Sequence, residues 1–118
     1  MEALGRCRFV VAPPRHFVYP AVLLLLAEEP RHGYRLVDAM LRLGFGPVDR
    51  PSIYRALRNL ECDGFLHSWE ESAAAGAARS VYGVTEAGYA ALSVWMGVVG
   101  AERDAFDSML KRFDALDE

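Results

Sequence analysis

A basic helix followed directly by a β-strand is predicted by residues 50–70, RPSIYRALRNLECDGFLHSWE. The helix is expected to start near Pro51–Ser52 and to end at Gly64. At 100° per residue, one face of this helix is wholly apolar and consists of Ile53, Ala56, Leu57 and Leu60. The opposite face carries Arg55, Arg58 and Asn59, with Tyr54 at its margin. One side of the helix therefore suits a protein core, and the other suits an anionic partner.

Two short runs rich in aromatic and β-branched residues follow this helix, Phe65–Glu70 and Ser80–Val84. Small residues from 72 to 78 join the two runs, so we predict a β-hairpin with a long tip. A hairpin directly after a basic helix is typical of the wing in a winged helix-turn-helix domain.

Two further helices are predicted before the basic helix. The first contains the apolar run Ala21–Ala27 and has Pro20 in its first turn, where the missing N–H is tolerated. The second opens at His32–Tyr34 and carries apolar residues at helical spacing, namely Leu36, Val37, Met40 and Leu41. The chain before residue 17 contains Pro13 and Pro14 and is predicted to form an arm.

The last part of the chain predicts a helix that pairs with another helix. Thr85 can cap its start, and Glu86 lies near its positive end. Steps of three and four residues place a seam along it with Arg103 as the one polar interruption; its apolar members are Tyr89, Leu92, Met96, Val99, Phe106, Leu110 and Phe113. Gly97 and Gly100 are expected to bend this helix or break it into two. The seam packs either against a second subunit, which we favour, or against the chain's own core.

The charges are unevenly distributed, which matters more than the formal net charge of -3. Residues 1–67 contain nine arginines and seven acidic residues, whereas residues 68–118 contain four basic and nine acidic residues. No acid lies between Arg50 and Arg58. The basic character is therefore local, and it suits a small docking face on an acidic body.

The composition and the absence of certain motifs indicate a folded domain and argue against a membrane protein or an enzyme. A hydrophobic fraction of 53% and a charged fraction of 25% are those of a folded globular domain, and the longest apolar run is too short to span a membrane. Cys7 and Cys62 are predicted to be buried or half-buried thiols. No cofactor motif, metal-ligand spacing or catalytic set of polar residues is present in the sequence. We therefore predict a cytoplasmic protein without a cofactor or metal that is not an enzyme.

Three motifs, taken together, connect the chain with a known family. They are LLLLAEEPRHGY at residues 23–34, SIYRAL at residues 52–57 followed by Leu60–Glu61 and Asp63–Gly64, and YGVTEAG at residues 82–88. At this spacing they resemble the PadR family of bacterial transcriptional regulators, over Phe17 to Phe113. Residues 17–34 and 43–45 are most similar to the branch of polyhydroxybutyrate-responsive repressors.

The resemblance implies a mostly α fold with a small β-hairpin and three parts. These are an N-terminal arm at residues 1–16, a winged helix-turn-helix at 17–85, and one or more dimerisation helices at 86–118. It also implies a homodimer that binds a palindromic operator in double-stranded DNA, usually as a repressor, and that can respond to a small-molecule effector. The residues expected at the dimer interface are Leu92, Met96, Val99, Phe106, Leu110 and Phe113.

Most of the expected DNA contacts lie on the third helix. Arg50 and Ser52 are placed for phosphates at its start, where free N–H groups also attract anions. Tyr54 resembles the family tyrosine that reaches a phosphate, although a packed aromatic ring is the alternative. The residues predicted to contact base edges are Arg55, Arg58 and Asn59, because arginine pairs well with guanine and asparagine with adenine.

Two departures from the family pattern leave a second function open. Pro51 stands where the family often has glycine, and the wing has only Arg79 where adjacent basic residues are common. The alternative is a protein-interaction module that has kept the winged-helix shape and lost DNA binding.

Trp95 is a candidate for the effector pocket. It lies beside the seam residue Met96, and related regulators bind flat aromatic compounds near the dimer seam. Packing of the indole in the core is the alternative role.

Overall fold

The computed structural model describes residues 17–46, 48–72 and 78–117. Its helices are α1 (Val18–Glu28), α2 (Gly33–Leu43), α3 (Arg50–Cys62) and α4 (Glu86–Ala115), and its strands are β1 (Arg31–His32), β2 (Leu66–Ser72) and β3 (Ala78–Val84). The predicted order of three helices, a hairpin and a C-terminal helix is confirmed. The predicted arm at residues 1–16, Cys7 and the tip of the hairpin lie outside the described residues.

One hydrophobic core joins α1, α2 and α3. Helix α1 is apolar nearly all round, and its Val22 and Leu23 have no exposed surface. The predicted apolar stripe of α3 is buried along its whole length, at Ile53, Ala56, Leu57 and Leu60. Burying an aliphatic side chain of this size stabilises a fold by about 1.5–3 kcal/mol. The core therefore fixes α3 with its opposite face toward solvent.

The sheet has three antiparallel strands in the order β1-β3-β2. The hairpin register places Leu66 opposite Val84 and Glu71 opposite Arg79. Strand β1 was not predicted, because two residues are too few to show the alternation of a strand. It pairs Arg31 with Tyr82 and thereby ties the start of α2 to the wing.

The start of α4 is fixed against the end of α3. As predicted, Thr85 caps α4, because its Oγ1 accepts the N–H of Gly88 at 3.0 Å. The same hydroxyl donates to the carbonyl of Gly64 at 2.7 Å. A Cβ atom at Gly88 would collide with the carbonyl oxygen of Phe65, so only glycine allows this close approach. The hairpin and α4 therefore leave the domain in fixed directions.

Helix α4 is one continuous helix of 30 residues. Gly97 and Gly100 were predicted to bend the helix or to break it, and the break is wrong, since both lie inside the helix. Neither position has another atom within 4 Å of where a Cβ would stand. Within the described residues, no helix combines the length and the hydropathy that a membrane span requires.

Candidate nucleic-acid interface

The solvent face of α3 presents two arginines. Arg55 and Arg58 are exposed on the side opposite the buried stripe, as the helical period predicts. Neither forms an ion pair with a carboxylate in the part of the chain that the structure describes. Cys62 follows Arg58 by one helical turn and is also exposed. The prediction of a buried or half-buried thiol at Cys62 is therefore wrong.

Asn59 differs from the two arginines. Its Nδ2 donates to the hydroxyl of Tyr19, on α1, at 2.8 Å. The exposed side chain is therefore bonded to α1 in the structure, and its predicted base contact stays a prediction. The sequence gives no sign of this bond, because the two residues are 40 positions apart.

Asp49 occupies the start of α3, and sequence reasoning missed it. Its carboxylate accepts the N–H of Ser52 at 3.1 Å and the Ser52 hydroxyl at 2.8 Å. These bonds lower the pKa of Asp49, and the charge of Arg55 lowers it further. Ser52 was expected to bind phosphate, but its N–H and hydroxyl are already donated to this carboxylate. The signal was present, because an aspartate before a first-turn proline is a common helix start.

A cleft of about 490 Å³ lies where the starts of α2 and α3 meet strand β3. We call it the wing cleft; it is lined by His32, Gly33, Tyr34, Arg50, Tyr54, Arg79, Ser80 and Tyr82. The guanidinium of Arg79 lies 4.8 Å from the centroid of the Tyr34 ring, which is a cation–π distance. The fold thus brings three of the predicted contacts together: Arg50, Tyr54 and Arg79.

Tyr54 and Tyr82 form part of the wall of the wing cleft. A Cβ on Gly33 would lie 2.9 Å from Cε1 of Tyr54, so the half-buried Tyr54 ring packs against backbone that only glycine leaves open. Burial raises the pKa of Tyr82, and the nearby carboxylate of Glu61 raises it further. The Tyr82 hydroxyl therefore stays protonated at neutral pH and can donate a hydrogen bond. Tyr54 combines the packed ring and the accessible position that were predicted as alternatives.

The predicted seam of α4 divides into two parts. Leu92 is only 9% exposed and belongs to the subunit core, and Met96 packs against that core. Leu92 is therefore covered mainly by its own chain, and its predicted contact with a second subunit stays a prediction. Val99 is half-buried, whereas Phe106, Leu110 and Phe113 are exposed.

Trp95 is half-buried and packs against the core. It also lines an open crevice of about 420 Å³ with Tyr19, Asn59, Cys62 and Asp63. The core contact that was the alternative role for Trp95 is therefore present, and the indole still borders a space between α1 and α4.

The two histidines that the structure describes, His32 and His67, each lie beside another side chain of the wing. Nε2 of His32 lies 4.0 Å from the carboxylate of Glu71, and the His67 ring packs against Trp69 in a tilted arrangement, with ring centroids 5.1 Å apart. Among residues 17–46, 48–72 and 78–117, no group of three or more potential ligands could hold a metal ion.

Three helices around one core, a hairpin directly after the third helix and a long helix after the hairpin define a winged helix-turn-helix protein. The family model for the Transcriptional regulator PadR-like family matches residues 22–94. The chain belongs to this family of transcriptional regulators.

Solved structures of similar proteins share the fold. A candidate transcriptional regulator from Thermoplasma acidophilum is 26% identical, with a TM-score of 0.75 over 82% of this chain and 93% of that chain. A PadR family regulator from Eggerthella lenta is 27% identical, with a TM-score of 0.69 over 81% and 83% of the two chains.

Bacillus subtilis PadR, solved in complex with operator DNA, is 24% identical, with a TM-score of 0.63 over 68% of this chain and 47% of that chain. At this identity the likeness concerns the fold alone. Comparison with curated proteins gives no match.

Proposed function

We propose that the chain is a cytoplasmic, sequence-specific repressor that binds a palindromic operator in double-stranded DNA as a homodimer. The observation that carries this proposal is the exposed pair Arg55 and Arg58 on α3, opposite the buried stripe and beside the wing. Membership of a family of transcriptional regulators supports it, as does the operator complex of B. subtilis PadR. No catalytic role is proposed.

The two kinds of DNA contact come from different residues. Arg55 and Arg58 are proposed to contact base edges in the major groove, where a bidentate arginine–guanine pair contributes about 1–3 kcal/mol of discrimination. Arg50, Tyr54 and Arg79 are proposed to contact the phosphate backbone, which positions the domain without selecting a sequence. Ser52 acts indirectly in this proposal, since it binds the cap of α3. Asn59 is proposed to contact a base edge as well, and its bond to Tyr19 also holds α3 against α1.

The homodimer is proposed to form through the second half of α4. This half carries large exposed apolar side chains, at Phe106, Met109, Leu110 and Phe113, and Leu116 follows at its C-cap. An exposed stripe of this kind marks an interaction surface. Two-fold pairing through it would give two copies of α3 related by the two-fold axis, and a palindromic site matches that symmetry.

A small-molecule effector is proposed to bind beside Trp95. The crevice between α1 and α4 offers an indole, the Tyr19 hydroxyl and the Asp63 carboxylate. A ligand there would contact both the core and the helix proposed for pairing, so it could change how the two subunits are spaced. The narrower likeness to polyhydroxybutyrate-responsive repressors stays a prediction from residues 17–34 and 43–45.

The proposal is tested by fluorescence anisotropy with duplexes from the region upstream of the chain's own gene. The wild-type chain should bind with an affinity that falls steeply as salt rises, because counterions are released from phosphates. Arg55→Ala/Arg58→Ala should bind at least about 30-fold more weakly and lose its preference for one duplex. The control is Arg42→Ala, which removes an exposed arginine paired with Asp38 on α2 and should bind like wild type.

Absence of DNA binding by the wild-type chain would overturn the proposal. It would favour the protein-interaction module, which Pro51 and the single wing arginine left open. The negative charge of Asp49 at the start of α3 also supports that alternative, because a carboxylate there repels phosphate.

A further inference from the structure

We propose that the wing cleft binds one backbone phosphate of the DNA between Arg50 and Arg79, and that Tyr34 is the residue that positions Arg79 for it. This inference rests on the proposed DNA-binding function and gives the wing's single arginine a defined site. It also assigns a role to Tyr34, which lies on α2 and outside every contact predicted from the sequence.

The charge of the wing cleft selects an anion. Its lining contains two guanidinium groups, and none of its lining residues is a carboxylate. Within the described ranges, neither Arg50 nor Arg79 forms an ion pair, whereas Arg31 and Arg42 are each paired with a carboxylate. Two uncompensated positive charges around one cleft attract an anion, and phosphate is the anion that duplex DNA presents.

The cleft also supplies neutral hydrogen-bond donors. The hydroxyls of Tyr54 and Tyr82 and the side chain of Ser80 line it. Helix α2 begins in the same place, at Gly33, and its N-cap residue His32 makes no side-chain capping bond. Free N–H groups at the start of a helix favour an anion, so they add to the attraction of the two arginines.

Tyr34 decides which way Arg79 points. The strand register places Arg79 directly opposite Glu71, and cross-strand partners of opposite charge normally pair. Instead, Arg79 lies over the Tyr34 ring at 4.8 Å, and the Glu71 carboxylate lies 4.0 Å from Nε2 of His32. Without the ring, Arg79 is free to turn to Glu71, which would cancel its charge. A wing with one arginine therefore depends on an aromatic ring on another element.

The test is a double-mutant cycle on DNA affinity with Tyr34→Leu, Arg79→Ala and the combination of both. Tyr34 is 40% exposed, so its replacement leaves the core intact, and thermal denaturation by circular dichroism checks this. The probes are an upstream duplex that the wild-type chain binds and a scrambled duplex of equal length. Tyr34→Phe is the matched control, since it keeps the ring and loses only the hydroxyl.

We expect Arg79→Ala to weaken binding and to reduce the slope of log affinity against log salt by about one, the value for one lost phosphate contact. Tyr34→Leu should weaken binding by about threefold to tenfold although it removes no charge. The double variant should bind no more weakly than Arg79→Ala alone, because Tyr34 acts through Arg79. Tyr34→Phe keeps the ring, so Arg79→Ala should weaken its binding by the same factor as it weakens that of the wild-type chain. All losses should be equal on both duplexes, as expected for a phosphate contact.

The inference is overturned if Tyr34→Leu binds like wild type, or if its loss adds fully to that of Arg79→Ala. A loss confined to the upstream duplex also overturns it, since that result indicates a base contact. These outcomes leave the proposed function standing as long as the wild-type chain binds DNA and Arg55→Ala/Arg58→Ala does not.

Discussion

The two halves of α4 carry the same apolar spacing in different surroundings. In the first half, Leu92 is 9% exposed and packs in the subunit core. In the second half, Phe106, Leu110 and Phe113 are 49%, 64% and 67% exposed. Apolar residues at helical spacing therefore identify a face that becomes buried. The spacing does not identify whether the same chain or a second chain covers that face. We infer that the first half holds the domain together and the second half holds the dimer together.

The largest expected effect is a difference in the free energy of unfolding when leucine is replaced with alanine in one half of α4 or in the other. Leu92→Ala should lower the free energy of unfolding by about 2–4 kcal/mol, because it leaves a cavity in the core. Leu110→Ala removes the same atoms from the exposed half and should cost less than about 0.5 kcal/mol in urea denaturation of the diluted monomer. Equal losses in the two variants would show that the halves do not differ in this way.

The second prediction concerns association. Phe106→Ser/Phe113→Ser should weaken dimerisation by about 100-fold, since large aromatic side chains dominate such interfaces. Sedimentation equilibrium measures this effect, and circular dichroism should show an unchanged helical spectrum. If the variant still formed dimers at the concentration at which the wild-type chain does, the second half of α4 would not form the interface.

Replacing a glycine of α4 with alanine should have a smaller effect on the free energy of unfolding. The effect should have opposite signs at two positions of this helix. Gly97→Ala should raise the free energy of unfolding by about 0.5–1 kcal/mol, because alanine favours a helix and no atom lies within 4 Å of the new Cβ. Gly88→Ala should be destabilising, because its Cβ would meet the backbone of Phe65. Thermal denaturation of both variants compares the two sites directly. A stabilised Gly88→Ala variant would contradict the close packing of α4 on the hairpin.

The smallest expected effect is a pH-dependent change at the start of α3 that should be absent at the start of α4. Hydrogen bonds from Ser52 hold the pKa of Asp49 below its ordinary value of 3.8. A carboxyl whose pKa is lower in the folded state stabilises the fold above 3.8, and this contribution is lost as the pH falls through the lowered pKa. The amide resonance of Ser52 should therefore shift below about pH 4, whereas that of Gly88, bound to the Thr85 hydroxyl, should not. Asp49→Asn should abolish the Ser52 shift.

Much of the fold could be predicted because its determinants are local. The buried stripe of α3, the cap at Thr85 and the presence of a hairpin each depend on residues within a few positions of one another, although the strands extend two residues further toward the tip than predicted, to Ser72 and from Ala78. Strand β1 was missed because its two residues form a strand only through their pairing with Tyr82 and Val81. The continuity of α4 through Gly97 was also missed, since helix propensity is a weak prior that neighbouring turns override.

The candidate site was predicted only in part, and the failures share one cause. Arg55 and Arg58 could be placed because they depend on the helical period alone. Asn59 could not, because its partner Tyr19 lies on another helix. Tyr34 was missed for the same reason, since it meets Arg79 only after β1, α2 and β3 have assembled. Periodicity describes one element at a time, whereas these contacts join elements that are distant in sequence.

The most direct test of the account is a hydroxyl-radical footprint of the wild-type chain on the DNA upstream of its own gene. A dimer that presents two copies of α3 should protect two half-sites separated by one helical turn, about 10 bp, or a multiple of it. The protection should disappear with Arg55→Ala/Arg58→Ala and persist with Arg42→Ala. A footprint that is unchanged in the double variant, or no footprint at all, would contradict the role assigned to the exposed face of α3.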